Sequence, residues 1–114
     1  MNQTSNEESF EGDRAFFPEV TPDEDLLFSL AELYRMFADS SRIRILCKLA
    51  EGEMNVSDLT AAVGMTQSAV SHQLRILKDG KLIRGRRDGR SVRYSLADDH
   101  VKTILQMGVE HLTE

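Results

Sequence analysis

Near one end of the 114-residue chain, Asp98, His100, His111 and Glu114 have the types and spacing to hold a transition metal ion. Imidazole nitrogens and carboxylate oxygens are zinc ligands, and two of the chain's three histidines lie here. At a rise of about 1.5 Å per residue, positions 100 and 111 of one helix stand roughly 16 Å apart, too far to share an ion bound at about 2 Å. Eleven residues turn through about 1100°, nearly a whole number of turns, so both imidazoles lie on one helix face. Two copies of the helix packed antiparallel across a dimer axis would set His100 of one beside His111 of the other and build two identical sites. Each would take Asp98 and His100 from one protomer, with the partner's His111 and the partner's Glu114. Asp98 and His100 point about 200° apart inside a regular helix, so Asp98 is expected at or before the N-cap, where aspartate is favoured. Two imidazoles and two carboxylates suit a closed tetrahedral zinc site, with cobalt or another divalent ion able to substitute. The plainer reading makes Asp98 a helix cap, His111 a dimer-surface residue and Glu114 a terminal charge.

A second constellation is polar and basic. Residues 71–93 carry eight Lys and Arg against Asp79 and Asp88, whereas residues 1–32 carry nine acids against Arg14. The formal net charge of −5 therefore hides a basic segment, and the location of charge bears on nucleic acid more than its sum. Gln67, Ser68, Ser71, His72, Gln73 and Arg75 offer donors and acceptors for base edges and phosphates. Arg86, Arg87 and Arg90 surround Asp88-Gly89, a hairpin-turn pair, and would form a basic tip.

The elements that must position these groups follow from periodicity and punctuation. Residues 1–20 are acidic and aperiodic and read as a flexible arm; residues 21–114 read as one domain. Thr21-Pro22-Asp23-Glu24 predicts a helix start with Thr21 as N-cap, and Leu26 to Phe37 follow at helical spacing. Ser40 or Ser41 would cap a second helix with Ile43, Leu46 and Leu49 inward, closed by Gly52. Asn55 would cap a third, ended by Gly64, and Thr66 a fourth in which Val70, Leu74 and Leu77 face the core. A hairpin turning at Asp88-Gly89 and a last helix from Asp98 complete the order. Two short helices joined by Gly64-Met65-Thr66 form a helix-turn-helix, and a basic hairpin beside it is a wing. The fold class is mainly α with a β-hairpin wing, a winged helix-turn-helix.

Composition excludes other classes. Apolar residues at 40% and charged residues at 29% are ordinary for a folded domain, and no apolar run is long enough to span a bilayer. Single Cys47, expected as buried packing beside Leu46, cannot make an internal disulfide and fits a cytoplasmic protein. No Ser/His/Asp or Cys/His set is available, so no enzymatic activity is expected.

The segments from Phe37 to Leu46 (FADSSRIRIL), from Gln67 to Leu74 (QSAVSHQL) and the wing Gly85-Arg86-Arg87-Asp88-Gly89-Arg90 resemble the ArsR/SmtB family of metal-responsive repressors, over about Leu30 to Glu114. The resemblance implies a homodimer that binds double-stranded operator DNA metal-free and releases it on binding zinc, derepressing metal efflux or sequestration genes. It also matches Asp98, His100, His111 and Glu114 to the family's zinc-sensing pair on the last helix. A second family site, built on cysteines near the third helix, has no counterpart in Met54-Asn55-Val56-Ser57-Asp58. A link from His100 toward the reading helix near His72 would couple metal to DNA. The alternative is a metal-independent regulator or adaptor whose last helix serves only dimerisation.

Overall fold

Capping side chains set the helix boundaries in the computed structural model, which describes residues 20–114. Most of the arm expected over 1–20 lies outside them. The chain divides into two units, 1–32 and 33–114.

Helix α1 spans Glu24–Met36. Its cap is Asp23, not Thr21: the Asp23 carboxylate accepts from the Leu26 N–H at 2.9 Å, and the Asp23 carbonyl from the Leu27 N–H. A carboxylate is the stronger acceptor at this end, where the helix dipole favours negative charge. Helix α2 (Ser40–Glu51) is likewise capped one residue earlier than expected, by Asp39, whose carboxylate accepts from the Arg42 N–H at 3.0 Å. Its inward stripe is Ile45, Leu46 and Leu49, while Ile43 is exposed. Cys47 turns out of that stripe and is an exposed free thiol, against the expectation of a buried one; it lines a groove of about 700 Å³ with residues of the last helix such as Leu105 and Met107.

Strand β1 (Met54–Asn55), not foreseen, is only two residues long and precedes α3 (Val56–Val63), which Asn55 caps and Gly64 closes. Gly64 stands at φ 69°, ψ 32°, a left-handed conformation that glycine adopts with least strain. Thr66 then caps α4 (Gln67–Asp79), accepting from the Ala69 N–H at 3.1 Å. Helix α4 ends with the Leu82 N–H bonded to the Leu77 carbonyl and the Lys81 N–H to the Lys78 carbonyl. This Schellman closure puts Lys81, rather than Gly80, at positive φ (64°) and turns Leu82 into the core.

Strands β2 (Ile83–Asp88) and β3 (Ser91–Leu96) form the wing, and β1 adds to β3 in an antiparallel sheet of order β1-β3-β2. The turn falls one residue later than expected: Asp88 still pairs with Ser91, and Gly89, at φ 65°, and Arg90 are the central residues. Gly85 lies opposite Tyr94, and a Cβ there would come within 2.9 Å of Val92 and 3.2 Å of the Tyr94 ring, so the ring needs a glycine beneath it. Helix α5 (Asp99–Thr113) closes the fold. The core joins Ile45, Leu46, Leu49, Leu59, Val63, Val70, Leu74, Leu77, Leu82, Ile83 and Val101, with Leu33, Met36 and Phe37 packed against it.

Two polar clamps tie these elements together. The Arg42 guanidinium donates to three acceptors: the Met36 carbonyl at 2.9 Å, the Arg35 carbonyl at 3.3 Å and Gln73 Oε1 on α4 at 3.2 Å. It answers carbonyls at the end of α1, where the dipole favours a cation, and grips the middle of α4. Partway along the wing, register sets Arg86 directly across from Arg93, a like-charge pair that would repel. Glu53 stands between them: its Oε1 lies 2.8 Å from Arg86 Nη2 and 3.4 Å from Arg93 Nε, and its carbonyl accepts from Arg93 at 3.1 Å. The hydrogen bond from Arg86 holds the Glu53 carboxyl below the usual glutamate range, and the pairing raises Arg86 in turn.

Replacing Arg42 by Lys keeps the charge but removes the planar fork, so it is expected to destabilise the domain by about 1–3 kcal/mol, as the loss of charged hydrogen bonds does. Urea unfolding measures this; an unchanged midpoint would show that the clamp is not structural. Because the pKa of Glu53 is lower folded than unfolded, its stabilisation is present at neutral pH and fades as pH falls below the ordinary glutamate range through the folded value. Glu53→Gln should therefore melt below wild type at neutral pH and converge with it in acid; parallel profiles would exclude the ion pair as a source of stability.

Candidate nucleic-acid interface and metal ligands

Helix α4 presents a divided surface. Val70, Leu74 and Leu77 are buried, while Gln67, Ser68, Ser71, His72 and Arg75 are exposed along the opposite side. Those five are the expected reading face. Gln73 is set apart from them: it is half-buried, and its carbonyl oxygen is engaged by Arg42. Its place is between the helices, as a grip on α4.

The wing arginines also divide. Arg87 and Arg90 are exposed at the tip. Arg86 points to the other strand face and is paired with Glu53, and Arg84 donates to the Ala97 carbonyl. Of the three expected tip residues, two make no ion pair among the described residues and one is already matched to a carboxylate. No sequence signal marked Glu53, because its partners lie more than thirty residues away and only the strand register brings them together.

At the start of α5, Asp98 is the N-cap, as helix geometry required of it. Its Oδ1 accepts from the His100 N–H at 2.9 Å and lies 3.4 Å from His100 Nδ1. The cap conformation thus converges two side chains that a regular helix would splay apart, and both open to solvent, His100 with 92% of its side chain exposed. His111 and Glu114 are exposed at the other end of α5 and do not join them. Among the described residues no three His, Cys, Asp or Glu side chains form one metal-binding group, and His100 makes no bond to His72. Apolar Met107, Val109 and Leu112 of α5 are exposed beside His111.

The model of bacterial regulatory proteins of the arsR family matches residues 39–84, from the α2 cap through α4 into β2. The chain is 48% identical over 85 residues to a transcriptional repressor SmtB homolog of Synechocystis, covering 75% of this chain and 64%, just under two thirds, of that protein. It is 43% identical over 94 residues to the HTH-type transcriptional regulator NmtR of Mycobacterium tuberculosis, covering 82% of this chain and 78% of the relative. Among solved structures it superposes on the AntR antimony-specific transcriptional repressor with a TM-score of 0.72 at 34% identity, over 79% of this chain and 82% of that one. With the capped helix pair, the hairpin wing and these relatives in agreement, the chain belongs to the arsR family of bacterial regulatory proteins and has the winged helix-turn-helix fold.

Proposed function

We propose that this protein is a metal-responsive transcriptional repressor that binds operator DNA as a homodimer when metal-free. Zinc or a similar divalent ion at inter-subunit sites releases it, and metal efflux or sequestration genes are then transcribed. The observation that carries this reading is the convergence of Asp98 and His100 at the α5 N-terminus. Two solvent-open donors of zinc-ligand chemistry are half of a tetrahedral set, and the same helix carries a carboxylate and an imidazole of the same chemistry at its other end. The donor set fits zinc: Asp98 and His100 of one protomer would hold it together with the partner's His111 and the partner's Glu114. Bound there, the ion would supply bonds that tie two protomers together.

Exposed apolar surface supports a dimer. Helix α5 leaves Met107, Val109 and Leu112 uncovered, and α1 has no buried residue, with Phe28 at 68% exposure. Surfaces of this kind mark association faces. Two copies of α4 must meet successive major grooves about 34 Å apart, so the angle between protomers decides whether both reading faces engage. A ligand shifts that angle only by preferring one dimer shape over another, and cross-links between α5 ends do so. Relatives named as a repressor, a transcriptional regulator and an antimony-specific repressor support regulation in response to a metal or metalloid. A regulator of this kind acts on DNA in the cytoplasm.

Zinc titrated into the purified protein on a fluorescent operator duplex at fixed salt should weaken wild-type binding by about 5- to 150-fold, the usual range of allosteric coupling. His100→Ala and His111→Ala should each bind DNA as well as metal-free wild type and show no zinc response. A response retained in either variant would remove that residue from the ligand set; no response in wild type would make this a metal-independent regulator whose last helix only dimerises.

A further inference from the structure

Between α4 and β3, with Val56 of α3 at its edge, lies a cleft of about 440 Å³ that shares Ser71 and Arg75 with the expected reading face but also takes in Lys78 and Tyr94, which base reading does not explain. Ser71, Arg75 and Lys78 line one wall, at i, i+4 and i+7 along a single stripe of α4, and Tyr94 of β3 contributes to the other, with buried Leu74 among the lining residues. Asp79 is the one acid among the lining residues, so the two cations outnumber it.

The state of the neighbouring cations sets this cleft apart. Arg42, Arg84, Arg86 and Arg93 all spend guanidinium N–H groups on protein acceptors. Arg75 and Lys78 are exposed, and among the described residues neither makes an ion pair. Their charge is available to a ligand. On a duplex, a helix in the major groove and a basic ribbon beside it are separated by the sugar-phosphate strand that forms the groove edge. The cleft lies between α4 and the wing strand, as that strand would. Phosphate oxygens are bound by Lys, Arg and hydroxyl groups, the side chains assembled here.

We propose that this cleft seats one backbone phosphodiester of duplex DNA, with Arg75 and Lys78 as its cations and the hydroxyls of Ser71 and Tyr94 as hydrogen-bond donors. The assignment rests on the DNA-binding reading above and extends it to Lys78 and Tyr94. Phosphate binding of this kind is indifferent to sequence. It sets how deep and at what angle α4 enters the groove, while Gln67, Ser68 and His72 are left to the bases.

The test uses the full chain, a mixed-sequence duplex and a series of salt concentrations, since backbone binding is read in the slope of log K against log salt. Lys78→Gln should weaken binding and make the slope shallower by about 0.9 for each phosphate that the protein no longer neutralises. Tyr94→Phe, which keeps the ring over Gly85, should weaken binding and leave the slope unaltered, because the hydroxyl carries no charge. Lys102→Gln, a charge change on α5 outside the cleft, should match wild type; thermal melting shows that each variant is folded. A folded Lys78→Gln protein with wild-type affinity and slope overturns the cleft assignment alone, and so does an equal weakening in Lys102→Gln. A wild-type protein that binds no duplex overturns the DNA-binding reading together with the cleft.

Discussion

A helix that is to read DNA, as proposed for α4, must keep one side in water and still be held rigidly, and in this domain the whole arrangement turns on how α4 meets that demand. Val70, Leu74 and Leu77 bury one stripe completely, so the helix cannot roll without exposing all three. Burial alone permits sliding along the stripe, because hydrophobic contact is not directional. The Thr66 cap and the Lys81-Leu82 closure fix where the helix begins and ends, and the Arg42 guanidinium on Gln73 ties it to α2. That last bond fixes position where the core fixes only the face.

The same logic governs the wing, where charge is both the instrument and the difficulty. Antiparallel pairing places Arg86 across from Arg93, and two facing guanidinium groups would splay the hairpin. Glu53, arriving from the connection between α2 and β1, offsets one of the two charges and ties the middle of the wing to that connection. Charge at the tip, on Arg87 and Arg90, is thereby left for solvent or DNA. A chain with a net charge of −5 can carry such a basic segment because nine of its acids fall in residues 1–32 of the sequence.

The local signals were legible in the sequence and the distant ones were not. Caps at Asn55 and Thr66, and the end of α3 at Gly64, depend on residues within a turn of one another, and reading them needs no tertiary information. The misplacements share that scale: Asp23 in place of Thr21 and Asp39 in place of Ser40 or Ser41 reflect a choice between adjacent acceptors that the carboxylate wins. Periodicity puts Ile43 on the wrong side, and proximity to Leu46 does the same for Cys47, because several registers of α2 bury an apolar stripe, and packing against α3, α4 and the sheet selects Ile45, Leu46 and Leu49. Strand β1 was invisible because two residues have no periodicity; it exists only as an addition to β3. The engagement of Gln73 and Arg86 was equally hidden, since each partner lies more than thirty residues away.

On the proposed reading, helix α5 carries a site that is incomplete in one chain and still well prepared. Its N-terminal part is fastened to the body by buried Val101 and half-buried Ile104 and Leu105, whereas every residue from Gln106 onward is exposed. Asp98 and His100 therefore sit on the fixed end, and His111 and Glu114 on the end that the described residues leave uncovered. A cross-link from the fixed end of one helix to the uncovered end of its partner would pull on the body of each protomer, because Val101 shares its core with the α4 stripe. On the proposed reading, placing half of each ligand set at opposite ends of one helix makes metal binding a statement about the angle between protomers, and neither half carries that information by itself.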